Sequence, residues 1–221
     1  MTSFPIELQK DSFKAAIFDM DGTMIDNRDY HLKAWQIFLK KHKMEMTDEE
    51  FGRRLSGKRN RQILEDLFDG KLNDLEIAEY AREKEGIYRE IYWEHVKEVP
   101  GLRKLIENLR LNNIKIAVAT NSPKENVEFI FEVLNLEDVV DTAVWEEHVK
   151  VGKPNPEAFL HTAERLNVAP SECIVFEDSP TGVEAGKRAQ MRVVAVLTGH
   201  TKEELKGTDF YVKDFNSVQL R

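Results

Sequence analysis

The feature that most constrains this chain is a set of short apolar runs at residues 15–18, 114–119, 173–176 and 193–197, with a weaker one at 142–145. Each has the length of a strand, is rich in β-branched residues, and is separated from the next by a helical pattern. Strands that are apolar on both faces must be covered on both, and their alternation with helices predicts a parallel, doubly wound sheet of the α/β class. In such sheets a ligand lies beyond the carboxyl ends of the strands, so the residues just after each run carry the functional information. With 221 residues, the surface scaling gives about 10,000 Å² folded against about 37,000 Å² unfolded. That is enough burial for a core without staples. The single cysteine, Cys173, excludes an internal disulfide.

Residues 28–99 contain no strand-like run and read as four helices. The first covers about 29–41. Thr47 and Glu50 have the capping-box spacing that opens a second. The third spans about 60–68 and stops near Gly70, and Asn73 with Glu76 opens the fourth, which runs to about residue 96. The expected organisation is an α/β core, 1–27 and 100–221, with a smaller all-α domain, 28–99, inserted after the first strand. Its two connections lie near 26–28 and 97–101, where Pro100-Gly101 signals a turn. Two crossings at nearly one point allow rigid-body opening and closing.

The strand ends carry polar chemistry. After the first run comes Asp19-Met20-Asp21-Gly22-Thr23, two carboxylates leaving the sheet together before a turn at Gly22. After the second comes Thr120-Asn121-Ser122-Pro123-Lys124-Glu125, where Ser122 is expected to cap a helix with Pro123 at its first position. A helix start with hydroxyls and unpaired N–H groups is also an anion site. Gly152-Lys153-Pro154-Asn155-Pro156 precedes the next helix, and Glu177-Asp178-Ser179-Pro180-Thr181-Gly182 follows the third run. Carboxylates from two strands can hold Mg²⁺ through oxygen ligands. Hydroxyls, N–H groups and a lysine can hold an anion facing that metal, and a remaining aspartate can attack phosphorus in line.

In order and spacing these segments resemble the four motifs of the haloacid dehalogenase superfamily: Asp19-Met20-Asp21-Gly22-Thr23, Thr120-Asn121-Ser122, Lys153-Pro154 and Glu177-Asp178. The resemblance runs from about residue 13 to 215. It is to the phosphatases with a helical (C1) cap after the first motif, in the β-phosphoglucomutase-like branch. It implies that Asp19 is the nucleophile forming an aspartyl-phosphate, and that Asp21 is the general acid and then the base. It places Mg²⁺ on Asp19, the Asp21 backbone carbonyl and Asp178, with Glu177 as a further ligand or an outer partner. Thr120, Asn121, Ser122 and Lys153 would then contact the phosphoryl group.

In the helical segment, Ala34, Trp35, Phe38 and Leu39 share one face at about 100° per residue, with His31 near its centre. Ile77, Ala81, Tyr88 and Ile91 form a stripe that contains Lys84. A histidine there is ordinarily a hydrogen-bonded core residue, and a lysine must snorkel, pair or project into a cavity. The resemblance implies instead that His31 and Lys84 contact substrate. In the mutase, an arginine three residues beyond a loop glycine grips a second phosphate. Here the loop reads Leu55-Ser56-Gly57-Lys58-Arg59-Asn60-Arg61, with Asn60 at that place and Arg59 and Arg61 beside it. Either Arg59 or Arg61 could reach the same site from a shifted turn, and Arg59 is carried as the binding candidate. A second departure is Asn27 in the hinge, where related sequences often carry Thr or Ser.

Three readings stay open at this point. One is a phosphatase for a small phosphorylated metabolite, such as a sugar phosphate. The second is a β-phosphoglucomutase-type phosphomutase, and the third a non-catalytic phospho-ligand binder. The missing arginine leans toward hydrolysis, and the full set of core carboxylates leans against a mere binder. The formal net charge of −8 argues against nucleic-acid partners. No apolar run approaches the ~20 residues of a membrane span. The first thirteen residues lack a signal-peptide core and a single cysteine suits a reducing compartment, so a cytoplasmic protein is expected; the resemblance implies a monomer.

Overall fold

A computed structural model of the chain describes residues 5–44, 46–47, 50 and 59–221. The chain divides into two compact units, one of Met1–Asp26 with Val96–Arg221 and the other of Asn27–His95. The sequence pattern carries the helical segment through residue 99. In the structure the Val99 N–H donates to the Met24 carbonyl at 2.8 Å, and Glu98 bridges Ile25, which joins 96–99 to the α/β unit.

In the α/β unit, β1 (Ile6–Leu8) pairs in parallel with β8 (Val218–Leu220), apart from the main sheet. The main sheet holds β2 (Ala15–Phe18), β3 (Lys115–Ala119), β4 (Thr142–Val144), β5 (Cys173–Glu177), β6 (Arg192–Val196) and β7 (Phe210–Val212). Its order is β4-β3-β2-β5-β6-β7, with every pairing parallel. β2 and β5 are buried along their whole length, which the apolar runs 15–18 and 173–176 require. One face packs Ile17, Val175 and Val193 against Phe159 and Ala163. On the other, Phe18 stacks on Phe176 at 4.7 Å and Phe215 meets both edge-on. The short strands β1, β7 and β8 are absent from the apolar pattern because each has only three residues and at most one that is buried.

The crossover helices of this unit are α4 (Leu102–Leu111), α5 (Lys124–Leu134), α6 (Glu157–Leu166) and α7 (Pro180–Arg188). α4 buries Leu102, Leu105, Ile106 and Leu109, a spacing that keeps one face on the sheet. α5 and α6 end on Asn135 and Asn167 in the left-handed conformation, a common helix stop. The register decides where chemistry can gather. Phe18 lies opposite Val118 on β3 and Phe176 on β5. One step further along, Asp19 is level with Glu177, and one beyond that, Thr120 is level with Asp178.

The helical unit contains α1 (Arg28–Lys41), α2 (Asn60–Leu67) and α3 (Asp74–Tyr92). Trp35, Phe38, Leu39, Ile63, Leu64 and Ile77 make its core. Asn73 caps α3, accepting from the Leu75 and Glu76 N–H groups, while Glu76 accepts from the Asn73 N–H. Thr47 and Glu50 make the expected reciprocal bonds. The second expected helix otherwise lies outside the described residues, as do 55–58 of the loop before Arg59.

Candidate active site

Asp19 follows β2 directly and its N–H donates to the Phe176 carbonyl at 2.9 Å, which docks the first motif onto β5. The chain then folds back, with the Gly22 N–H on the Ile25 carbonyl at 2.7 Å. Gly22 has φ +80°, and a Cβ there would stand 2.2 Å from Asp178 Oδ2. Only glycine lets this turn lie against the Asp178 carboxylate. Thr23, fully buried, donates its hydroxyl to Asp178 Oδ1 at 3.2 Å.

Lys153 reaches this cluster from the loop before α6. Its Nζ donates to Asp19 Oδ1 at 2.6 Å and to Glu177 Oε1 at 2.7 Å, and it lies 4.7 Å from the Phe159 ring centroid. Glu177 Oε2 accepts from the Ser179 N–H at 2.8 Å and the Ser179 hydroxyl at 3.0 Å. The first turn of α7 can come this close because residue 182 is glycine; a Cβ there would sit 1.7 Å from Glu177 Oε1. Glu177 thus orients Lys153 and anchors the start of α7.

The electrostatics describe a pocket short of positive charge. Burial pushes Asp19 up to about 8; Lys153 opposes the rise and Glu177 and Asp21 add to it. Burial, then the charges of Glu177 and Asp19, raises Asp178 well above the carboxylate range. Burial pulls the Lys153 ammonium down, but Asp19 and Glu177 outweigh it and hold the group above an ordinary lysine. Asp19, Glu177 and Asp178 each bring an oxygen within 4.8 Å of the others, and all three are buried. Three carboxylates beside one ammonium leave negative charge uncompensated in a buried site, which is costly. An all-oxygen donor set of this size suits a hard divalent cation. Among the described contacts, one oxygen each on Asp19 and Asp178 remains open for it, whereas both Glu177 oxygens are engaged.

Asp21 meets the second motif. Its Oδ2 accepts from the Ser122 hydroxyl and, at 3.4 Å, from Thr120. Here the structure corrects the sequence reading of Ser122. α5 starts at Lys124 without a side-chain cap, and the Lys124 N–H donates to Glu147 at 3.2 Å instead. The Ser122 hydroxyl is turned instead to the Asp21 carboxylate, to which it donates. Asn121 Oδ1 accepts the Lys153 backbone N–H at 3.1 Å, so the second and third motifs are tied to each other.

In the helical unit, the Lys84 ammonium donates to His31 Nδ1 at 2.7 Å and to Glu85 Oε1 at 2.8 Å. An ammonium can only donate, so His31 carries its proton on Nε2. The imidazole stacks on Tyr88 at 3.9 Å, and Asn27 donates to the Tyr88 hydroxyl at 2.6 Å. Asn60 donates to Glu85 Oε1 at 2.7 Å. Arg59 precedes α2, its backbone N–H on Gln62 at 3.2 Å, and Arg61 pairs with Asp74 and Glu65. Sequence reasoning missed Glu85 and Thr23. The signal for Glu85 was present, since a lysine buried on an apolar stripe must find a counter-charge.

Fold and site together define an α/β protein of the doubly wound kind, with a buried acidic pocket and one lysine at the carboxyl ends of its central strands. The family model of the haloacid dehalogenase-like hydrolases matches residues 16–196, and the chain belongs to that family of enzymes. It is 34% identical over 176 residues to a phosphorylated carbohydrates phosphatase of Thermotoga maritima, covering 80% of this chain and 81% of that protein. To the β-phosphoglucomutase of Bacillus subtilis it is 33% identical, covering 94% of this chain and 92% of that protein. A family IA, variant 3 hydrolase from Entamoeba histolytica superposes with TM-score 0.87 at 29% identity, over 93% of this chain and 95% of the other.

Proposed function

We propose that this protein is a Mg²⁺-dependent phosphatase acting on a small phosphorylated metabolite, such as a sugar phosphate, through an aspartyl-phosphate on Asp19. The observation that carries the reading is the buried convergence of Asp19, Glu177 and Asp178 within 4.8 Å beside Lys153. Asp19 and Asp178, with the Asp21 backbone carbonyl, would hold the Mg²⁺, which supplies charge neutralisation to the phosphoryl oxygens. Asp19 would give its open oxygen to the cation and direct the other, which Lys153 orients at 2.6 Å, at phosphorus. Thr120, Asn121, Ser122 and Lys153 receive the oxygens of the transferred group, so catalysis rests on positioning and charge compensation. Asp21, oriented by Ser122 and Thr120, gives its proton to the leaving oxygen and then takes one from the attacking water. His31, Lys84 and Arg59 are assigned to substrate contact.

A phosphomutase is the second reading, favoured by the identity to the B. subtilis enzyme. Such an enzyme must grip a second phosphate. Here Asn60 stands where the mutase has its arginine and is turned to Glu85, whose charge also offsets that of Lys84. A neutral pair of this kind is a poor anion site, and hydrolysis is preferred. The test is a panel of phosphometabolites with Mg²⁺, including β-glucose 1-phosphate primed with glucose 1,6-bisphosphate, run on wild type and Asp19→Asn. Phosphate release by the wild type alone supports the proposal. Glucose 6-phosphate without free phosphate establishes the mutase, and equal behaviour of the two proteins on every substrate refutes both.

A further inference from the structure

Two side chains outside the four motifs fasten the two loops that carry the acidic pocket. They lie in the turn after β6, which borders β5 in the sheet. Thr198 donates its hydroxyl to the Gly22 carbonyl. His200 Nδ1 lies 3.0 Å from the Asp178 carbonyl, and since a carbonyl oxygen only accepts, the proton is on Nδ1. The two anchored peptides are not incidental. Gly22 is the residue whose missing Cβ lets the first motif lie against Asp178. The Asp178 carbonyl belongs to the peptide that leads into Ser179, whose N–H and hydroxyl hold Glu177. A single turn therefore ties both the β2 and the β5 loop, reaching across β5 to do so and adding to the bond of Thr23 to Asp178.

We propose that Thr198 and His200 form a clamp that fixes the spacing between the Asp19–Gly22 loop and Asp178, and so sets affinity for the divalent cation. The inference rests on the Mg²⁺ reading above and goes beyond it by assigning two positioning residues that touch neither the phosphoryl group nor a proposed ligand side chain. The physical reason is that the carboxylates repel one another when ionised. Without an external tie, the two loops can relax apart and the pocket loses the narrow range of ligand distances that Mg²⁺ demands. Removing an outer partner of a ligand typically costs 10–100-fold in metal affinity or activity.

The test is titration of the substrate-free protein with Mg²⁺ alone, by calorimetry and by the Mg²⁺-dependent rise in melting temperature. His200→Ala and Thr198→Val should each raise the Mg²⁺ dissociation constant about tenfold. His200→Asn, which places an amide N–H near the Nδ1 position, and Thr198→Ser, which keeps the hydroxyl, should recover most of the loss. In turnover, the Mg²⁺ concentration for half-maximal rate should rise in step with the dissociation constant, while kcat at saturating Mg²⁺ falls much less. Leu109→Ala, a core truncation on α4, should lower the melting temperature and leave the dissociation constant unchanged. If His200→Ala does not fold, the Thr198→Val and Thr198→Ser pair carries the same comparison. Folded clamp variants with wild-type Mg²⁺ affinity, or a loss that the Asn and Ser variants do not recover, overturn the clamp alone. A wild-type protein that binds no Mg²⁺ overturns both the clamp and the Mg²⁺ reading.

Discussion

Replacing Gly22 by alanine isolates the contact on which the acidic pocket depends. At φ +80° the added Cβ incurs the left-handed penalty of a non-glycine residue, about 1–2 kcal/mol. The same Cβ would stand 2.2 Å from Asp178 Oδ2 and 2.5 Å from its Cγ, so the carboxylate or the turn must shift by about 1 Å to restore contact distance. Gly207→Ala is a matched control, because Gly207 has φ +85° in the same unit and nothing within 4 Å of its Cβ position. Gly207→Ala should lose about 1–2 kcal/mol, which is about 2–8 °C in melting temperature for a protein of this size, and Gly22→Ala at least as much. Only Gly22→Ala should lose function, because a misplacement of about 1 Å at a catalytic group can cost about 100-fold. Thermal melts by circular dichroism and phosphate release with Mg²⁺ read the two effects separately. A Gly22→Ala enzyme that melts like Gly207→Ala and retains full turnover would refute the reasoning.

Lys153→Met leaves Glu177 buried beside Asp19 without its cation, and should destabilise the metal-free protein at neutral pH by about 3–5 kcal/mol in denaturant melts. A variant as stable as wild type would show that the pair is not needed there. The raised carboxyl of Asp19 makes a pH prediction. The folded state holds its proton up to about 8, against 3.8 for the ordinary group, so its contribution to stability is present below about pH 4 and lost as pH rises through 8. Metal-free wild type compared with Asp19→Asn should therefore lose stability more steeply between pH 5 and 8.5, and a shallower slope contradicts it. Burial pushes the Cys173 thiol up to about 11, with Glu172 adding to the rise, so a disulfide reagent at pH 8 should label it only on unfolding. Rapid labelling of the native protein would count against that burial.

Much of the α/β framework was readable because strands buried on both faces must be apolar end to end. That requirement marked β2, β3, β5 and β6, and missed β1, β7 and β8, whose three-residue pairings bury too little to impose a pattern. Asp19, Asp21, Lys153, Glu177 and Asp178 were picked out by position after those strands. Ser122 has the local spacing of a helix cap, but its hydroxyl donates to Asp21, 101 positions away and outside any local window. The helical unit divides the same way. His31 and Lys84 stand out against their apolar faces, whereas the bond between them depends on how α1 packs on α3, and that of Asn60 to Glu85 on how α2 packs on α3.

Local physics settles which segments become strands or helices and, through chain order, which chemical groups stand at each strand end. It cannot say which of those groups meet. Thr23 and Asp178 are 155 positions apart, and Thr198 and Gly22 are 176 apart. Their contacts arise from the parallel register of β2 with β5 and from β6 lying beside β5. Burial then turns proximity into chemistry, by removing the water that would otherwise screen three carboxylates from one another and from a single lysine.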